Sequence, residues 1–241
     1  MKIITAHQPI HLPWPGFFHK IAISDIFVWF DQVQYQKKEF DNRNKIKTPN
    51  GTEWLVTPVM SKNHFNTKLN QILIDTTKNN KKKNLKKFIY AYNKAEYYNK
   101  YIKIIEKFYL HPWEKLSDMN RFFINSVLEE LNIKTKLIEM SQINIQGKKD
   151  DLVLSMCKFL NTDIYIFGEE GKNYADPKKF ENNSIKIYFQ KYFSPMYKQL
   201  WGAFVNNLSI IDLMMNCGQN SFKILMNGNI SRDEIEKKFN A

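Results

Sequence analysis

The stretch Thr5–Thr48, TAHQPIHLPWPGFFHKIAISDIFVWFDQVQYQKKEFDNRNKIKT, decides both the fold class and where function is to be sought. Lys2 to Thr5 is a short β-branched run that reads as a strand, and Pro9, Pro13 and Pro15 then forbid helix and stiffen the loop behind it. From Gly16 to Ser24 the apolar residues Phe17, Phe18, Ile21 and Ala22 take helical spacing, while Asp25–Phe30 (DIFVWF) reads as a buried strand ending at Asp31. Strand, loop, helix and strand make a βαβ unit, which brings the loop after its first strand and the residues after its second to one edge of a parallel sheet.

Chemistry-bearing residues crowd into the same places. His7, Gln8, His11, Trp14 and His19 fall in or near the proline-broken loop, and Asp31, Gln34, Lys37, Asn42, Arg43 and Asn44 follow the second strand. Imidazoles at a strand end suit acid–base work, although a lone histidine is more often structural, and His19 on the helix is the weakest of the three. A carboxylate closing an apolar strand, such as Asp31, is either an active-site group or a cap. Arg43 is one of three arginines in a chain that otherwise uses lysine, and a planar fork suits phosphate or carboxylate. The expected catalytic set is His7, Asp31 and His11.

The rest of the chain extends the α/β pattern. Trp54–Pro58 and Leu69–Ile74 look like strands, with a turn at Asn50–Gly51, and Ser117 looks like the N-cap of the helix that follows. A second α/β series then runs through a strand at Lys136–Met140, a helix at Asp150–Leu160, strands at Asp163–Phe167 and Ser184–Tyr192, and a helix at Leu208–Cys217 closed by Gly218. The polar tail after Gly228 is expected to fray. FGEEGKNY places Gly168, Gly171 and Tyr174 directly after a strand, either a plain turn or a place where backbone approaches a ligand. Asn206 belongs to a polar and aromatic cluster with Tyr197, Gln199 and Trp201 that could equally be a surface loop.

The predicted fold is α/β, a mostly parallel Rossmann-like sheet with an inserted or appended lysine-rich helical region. Its parts are residues 1–75 with the HQP and NRN motifs, a helical region at 76–132 and a second α/β part at 133–241, together forming one compact catalytic unit. At 241 residues, 43% hydrophobic, the chain can bury a sizeable core. No run approaches a membrane span and the start reads as a strand, so a cytoplasmic protein is expected. Cys157 and Cys217 lack metal or disulfide spacing, and no metal is expected. The formal charge of +12 is concentrated in Lys78–Lys107, with ten lysines against Glu96 and Glu106. Amphipathic spacing makes this a pair of helices or one long helix with a solvated basic face; an anionic membrane surface or tRNA is the alternative partner, and no specific DNA is expected.

HQPIHLPWPGFFHKIAISDIFVWFDQVQYQKKEFDNRNKIKT resembles the start of the WbqC-like family, as do LVTPV at 55–59, DDLVLSMCKFLNTDIYIFGEEGKNY and FVNNLSIIDLMMNCG later on. The resemblance covers nearly the whole chain to about Gly218. It implies work on sugar nucleotides for bacterial surface glycans, without fixing the reaction. The reading it favours is a transferase that acylates the amino group of a nucleotide-linked amino sugar, with His7 as base, Gln8 or Asn44 as oxyanion donor, and Arg43 with Lys37 on the diphosphate. The donor would be an acyl-CoA or an aminoacyl-tRNA. Two alternatives stand beside it. One is a glycan or nucleotide-sugar binding protein without catalysis. The other is a nucleotidyltransferase, since HLPWPG partly resembles the HxGH signature, although Phe17 occupies the place of its second histidine.

Overall fold

The computed structural model describes residues 1–60 and 67–240. Strand β1 (Ile3–His7) lies at the middle of a five-stranded sheet because it is apolar enough to be buried on both faces. It pairs in parallel with β2 (Ile26–Trp29) on one edge, His7 opposite Trp29, and with β6 (Ile164–Gly168) on the other, Ile3 opposite Ile164. Strand β5 (Lys136–Glu139) extends the sheet beyond β2, and β7 (Lys186–Gln190) extends it beyond β6, both in parallel. The order is therefore β5-β2-β1-β6-β7, the doubly wound arrangement in which chain direction across the sheet reverses beside β1.

Alternation along the strands divides the core into two faces. Ile4, Val28, Tyr165 and Phe167 pack with Val153, Met156 and Cys157 of α5 (Lys149–Phe159). On the opposite face, Phe27 and Trp29 join α1 (Pro15–Ala22) and the three helices α2 (Asn80–Tyr92), α3 (Tyr98–Leu110) and α4 (Leu116–Glu130) through Phe17, Phe88, Phe108 and Phe123. The basic segment is thus a helix pair whose apolar stripes face the core, with Lys82, Lys83, Lys86, Lys103 and Lys107 exposed. An antiparallel hairpin, β3 (Arg43–Thr48) and β4 (Gly51–Val56), turns at Pro49–Asn50, one residue before the expected Asn50–Gly51, and buries Ile46 and Leu55 in the same core. Short helix α6 (Pro177–Glu181) precedes β7, and α7 (Ile210–Cys217), α8 (Ser221–Met226) and α9 (Arg232–Asn240) complete the chain. Among the described residues no helix is long and apolar enough to cross a membrane.

Two local expectations are corrected here, and a third is met. Leu69–Gln71 is a 3-10 turn rather than part of a strand, because the Leu69 and Asn70 amides donate to the carbonyls of Val33 and Asp31, and only isolated bridges follow at Leu73 and Ile74. Ser117 lies inside α4 rather than capping it; the helix begins at Leu116, whose amide donates to the Ile72 carbonyl. Gly218 does close α7, at φ 51°, and a Cβ there would meet the Tyr97 ring at 2.2 Å.

The tail after Gly228 does not fray. Helix α9 inserts a fully buried Ile235 against Ile3 and Ile164, and Arg232 forms an ion pair with Asp25 at 2.7 Å. Aliphatic burial outweighs a half-exposed pair, so Ile235→Ala should lower unfolding free energy by roughly 2–4 kcal/mol in urea denaturation. Arg232→Ala should cost under about 1 kcal/mol; the reverse ranking would mean that electrostatics docks the tail.

Candidate functional site

A cavity of about 380 Å³ opens outside the carboxyl ends of β1, β6 and β7, at the point where the strand order reverses. Strand β1 contributes His7 and β6 contributes Gly168, followed immediately by Glu169 and Glu170; Gln190 ends β7 and Tyr192 follows it. Helix α1 supplies Gly16, Phe17 and Lys20 from the facing side, Trp14 and Phe40 stand on the loops above, and Asn207 closes the rim. Gly16 is required where it stands, because a Cβ would meet the Tyr192 ring at 2.8 Å.

Lys20 is the unusual group. Only 3% of it is exposed, and its Nζ donates to the Ala6 carbonyl at 3.2 Å. It forms no ion pair among the described residues. Burial pushes its pKa down to about 7. An amine poised there exchanges a proton readily near neutrality.

His7 meets the edges of Phe17 and Trp14, with ring centroids 5.1 and 6.1 Å away, and its Nδ1 lies 3.0 Å from the Gln8 carbonyl. That contact assigns the proton to Nδ1 and leaves Nε2 as an acceptor. Burial, with the Lys20 charge nearby, pushes the His7 pKa down to about 3. The imidazole is therefore a neutral hydrogen-bonding group rather than a strong base. Gln190 is fixed by a 3.0 Å contact between its Nε2 and His19 Nδ1, and burial holds His19 down at about 4.

Of the expected site residues, His7, Trp14 and Gly168 line this cavity. Asp31 lies elsewhere: its Oδ2 takes the Arg121 guanidinium at 2.8 Å while the same arginine reaches Glu139 at 2.7 Å, joining the end of β2 to α4 and β5. His11 is wholly buried against Phe108 and Tyr109, with its pKa pushed to about 3 by burial, so it acts as a core residue. Asn44 Nδ2 donates to the Leu12 carbonyl at 2.7 Å and Asn42 Nδ2 to the Thr57 carbonyl at 2.8 Å; both hold loops in place. Gln8 contributes its carbonyl to His7, and Gln34 pairs with Lys68 in an isolated bridge. Gly171 is needed for packing, since a Cβ would meet Phe167 at 2.6 Å, while Tyr174 and Asn206 are exposed outside the lining.

Lys37, Asn42 and Arg43 gather in a separate shallow cleft with Lys38 and Lys78. Arg43 is held there by donation to the Lys38 carbonyl and by the Trp54 ring, whose centroid is 4.5 Å from its guanidinium carbon. The two clefts flank one loop, because Phe40, between Lys38 and Arg43, lines the first. A file of rings joins them: Trp14 to Phe40 at 5.4 Å, then Phe40 to Trp54 at 6.1 Å. Among the described residues, no three His, Cys, Asp or Glu side chains converge as a metal ion would require.

Lys20, Glu169, Glu170, Phe40, Gln190 and Tyr192 were not singled out from sequence, whereas Asn207 belongs to the polar and aromatic cluster read around Asn206. Lys20 had a signal, a lone cation inside the apolar helix GFFHKIAI, and Glu169–Glu170 had another, paired acids directly behind a buried strand. A lysine neutralised on folding destabilises the fold: between about pH 7 and its ordinary 10.5 the unfolded chain holds a proton that the folded chain has released, so this contribution improves as pH rises through the window. Lys20→Met should therefore stabilise the protein by roughly 2–4 kcal/mol at pH 7 and below, with the gain vanishing near pH 10.5. Urea denaturation across that range checks it, and a variant destabilised at every pH would show that the ammonium is a structural anchor.

A protein of Mycobacterium tuberculosis (strain ATCC 25618 / H37Rv), "Uncharacterized protein Rv1507c", is 31% identical over 220 residues, covering 90% of this chain and 95% of that protein. No solved structure matches the chain. The model of the WbqC-like protein family matches residues 8–224, from the loop behind β1 to helix α8, and the chain belongs to that family.

Proposed function

We propose that the protein is a transferase that acylates the amino group of a nucleotide-linked amino sugar, with the sugar in the cavity behind β1, β6 and β7. The observation that carries this reading is the pairing, in one cavity, of Lys20, which has no ion-pair partner among the described residues, and the carboxylates Glu169 and Glu170. Carboxylates at the lip attract a sugar ammonium, and the aromatic faces of Trp14 and Phe40 suit the apolar side of a pyranose ring. Lys20, neutral in part near pH 7, takes the proton the ammonium must lose before its nitrogen can attack the donor's acyl carbonyl; the C–N bond forms as the donor's thioester or ester bond breaks, and the CoA thiol or tRNA hydroxyl leaves with a proton. His7 accepts a hydrogen bond at Nε2 and orients the sugar. The cationic cleft of Lys37, Lys38 and Arg43, reached along Trp14, Phe40 and Trp54, suits the diphosphate. A protein that only bound the sugar has less use for a buried amine that forms no ion pair among the described residues.

UDP- and dTDP-linked amino sugars, incubated with acetyl-CoA or charged tRNA and read by mass spectrometry, should gain one acyl group. Lys20→Met should lower turnover by about 10² to 10⁴ while KM stays within a few fold. Glu170→Gln should raise KM instead, with a smaller effect on turnover. Sugars recovered unmodified with every donor, or a Lys20→Met enzyme as active as the parent, would overturn the proposal.

A further inference from the structure

Tyr192 and Asn207 both line the cavity, and the segment between them has neither helix nor strand. Its underside is pinned nonetheless. Phe193 N–H donates to the Gly228 carbonyl at 2.9 Å, Tyr197 Oη to Asp212 Oδ2 at 2.7 Å, and Leu200 N–H to Asn216 Oδ1 at 3.1 Å. The buried Lys47 Nζ donates to Gln199 Oε1 at 3.1 Å, and Trp201 Nε1 to the Ala91 carbonyl at 2.7 Å. A segment so held has no slack, yet it presents Phe193 and Met196 to water at 64% and 80% exposure, the highest values of any large apolar residue described. Exposed apolar groups held out by a rigid backbone mark a docking surface.

The surrounding charge identifies what docks. No Asp or Glu occurs between Glu181 and Asp212, and Asp212 is buried under Tyr92 and Tyr197. Lys191 Nζ lies 5.2 Å from the Phe193 ring centre and Lys94 Nζ 5.7 Å from that of Trp201, while Lys198 is exposed on the segment itself. Exposed apolar side chains with lysines on the same acid-free segment complement an anionic bilayer surface, where side chains enter the acyl boundary and ammonium groups meet lipid phosphates. A second copy would set lysines against lysines, and a nucleic acid offers a methionine no apolar phase.

We propose that this lip docks the protein on an anionic membrane surface through Phe193 and Met196, with Lys191, Lys198 and Lys94 facing the headgroups. The inference stands apart from the transferase reading and does not depend on it.

The full chain should co-sediment with vesicles of phosphatidylglycerol and phosphatidylcholine and far less with phosphatidylcholine alone. F193S/M196S should reduce the bound fraction's partition coefficient roughly tenfold or more with unchanged melting, since neither side chain is buried. K191Q/K198Q should weaken binding most at low salt, where lysine attraction is least screened. Absence of co-sedimentation overturns the proposal. So does binding that F193S/M196S leaves intact, which would assign it to lysines alone, or a concentration-dependent dimer in ultracentrifugation that F193S/M196S abolishes, which would make the lip a self-interface.

Discussion

Strand β1 is hydrogen-bonded on both edges, to β2 and to β6, and that double pairing is the constraint from which the functional geometry follows. The chain leaves β1 toward one side of the sheet and returns on the other side with β6, so the loops behind the two strands diverge and leave a gap. His7 and Gly168 end the two strands at that gap, and α1 crosses it. Proline at the first position of α1 sets its entry angle without losing a helical hydrogen bond. The β-branched and aromatic residues of β1, β2 and β6, buried on both faces, keep this frame rigid while the loops carry the chemistry.

The frame also explains why a lysine can be kept where burial disfavours its charge. Helix α1 is buried on seven of its eight positions, so Lys20 has no route to bulk solvent except through the cavity. Its stem packs with the core and its amine lies beneath Ala6. A fold selected for stability alone would place a methionine there. By contrast, Asp31 pairs with Arg121 at the end of β2, and the Asp212 carboxylate accepts from Tyr92 and Tyr197; those buried polar groups tie distant elements of the fold together.

Much of this was legible from residue order. Periodicity located the inner strands and their helices because β1, β2 and β6 are short apolar runs bounded by proline, aspartate or glycine, and the strand-end rule pointed to His7 and Gly168. The same rule pointed to Asp31, and the proline-broken loop to His11, and there neither signal selected. A strand end tells which edge of the sheet a residue occupies; whether it faces a cavity or a partner depends on what arrives from far along the chain. Arg121 is 90 residues from Asp31, and Phe108 reaches His11 from α3. Lys20 was passed over because a cation within a helix ordinarily snorkels to solvent, and only the packing of α1 on every side prevents it. The tail was read as polar, yet one isoleucine was enough to seat α9.

The central claim is that the cavity behind β1, β6 and β7 holds the amine of the substrate. A crystal structure with a UDP-linked amino sugar tests it most directly. The account predicts the sugar ring against Trp14 and Phe40, its nitrogen about 3 Å from a Glu169 or Glu170 carboxylate and facing Lys20. A sugar bound in another part of the molecule, or seated in the cavity with its amine turned away from both Lys20 and the glutamates, would contradict it.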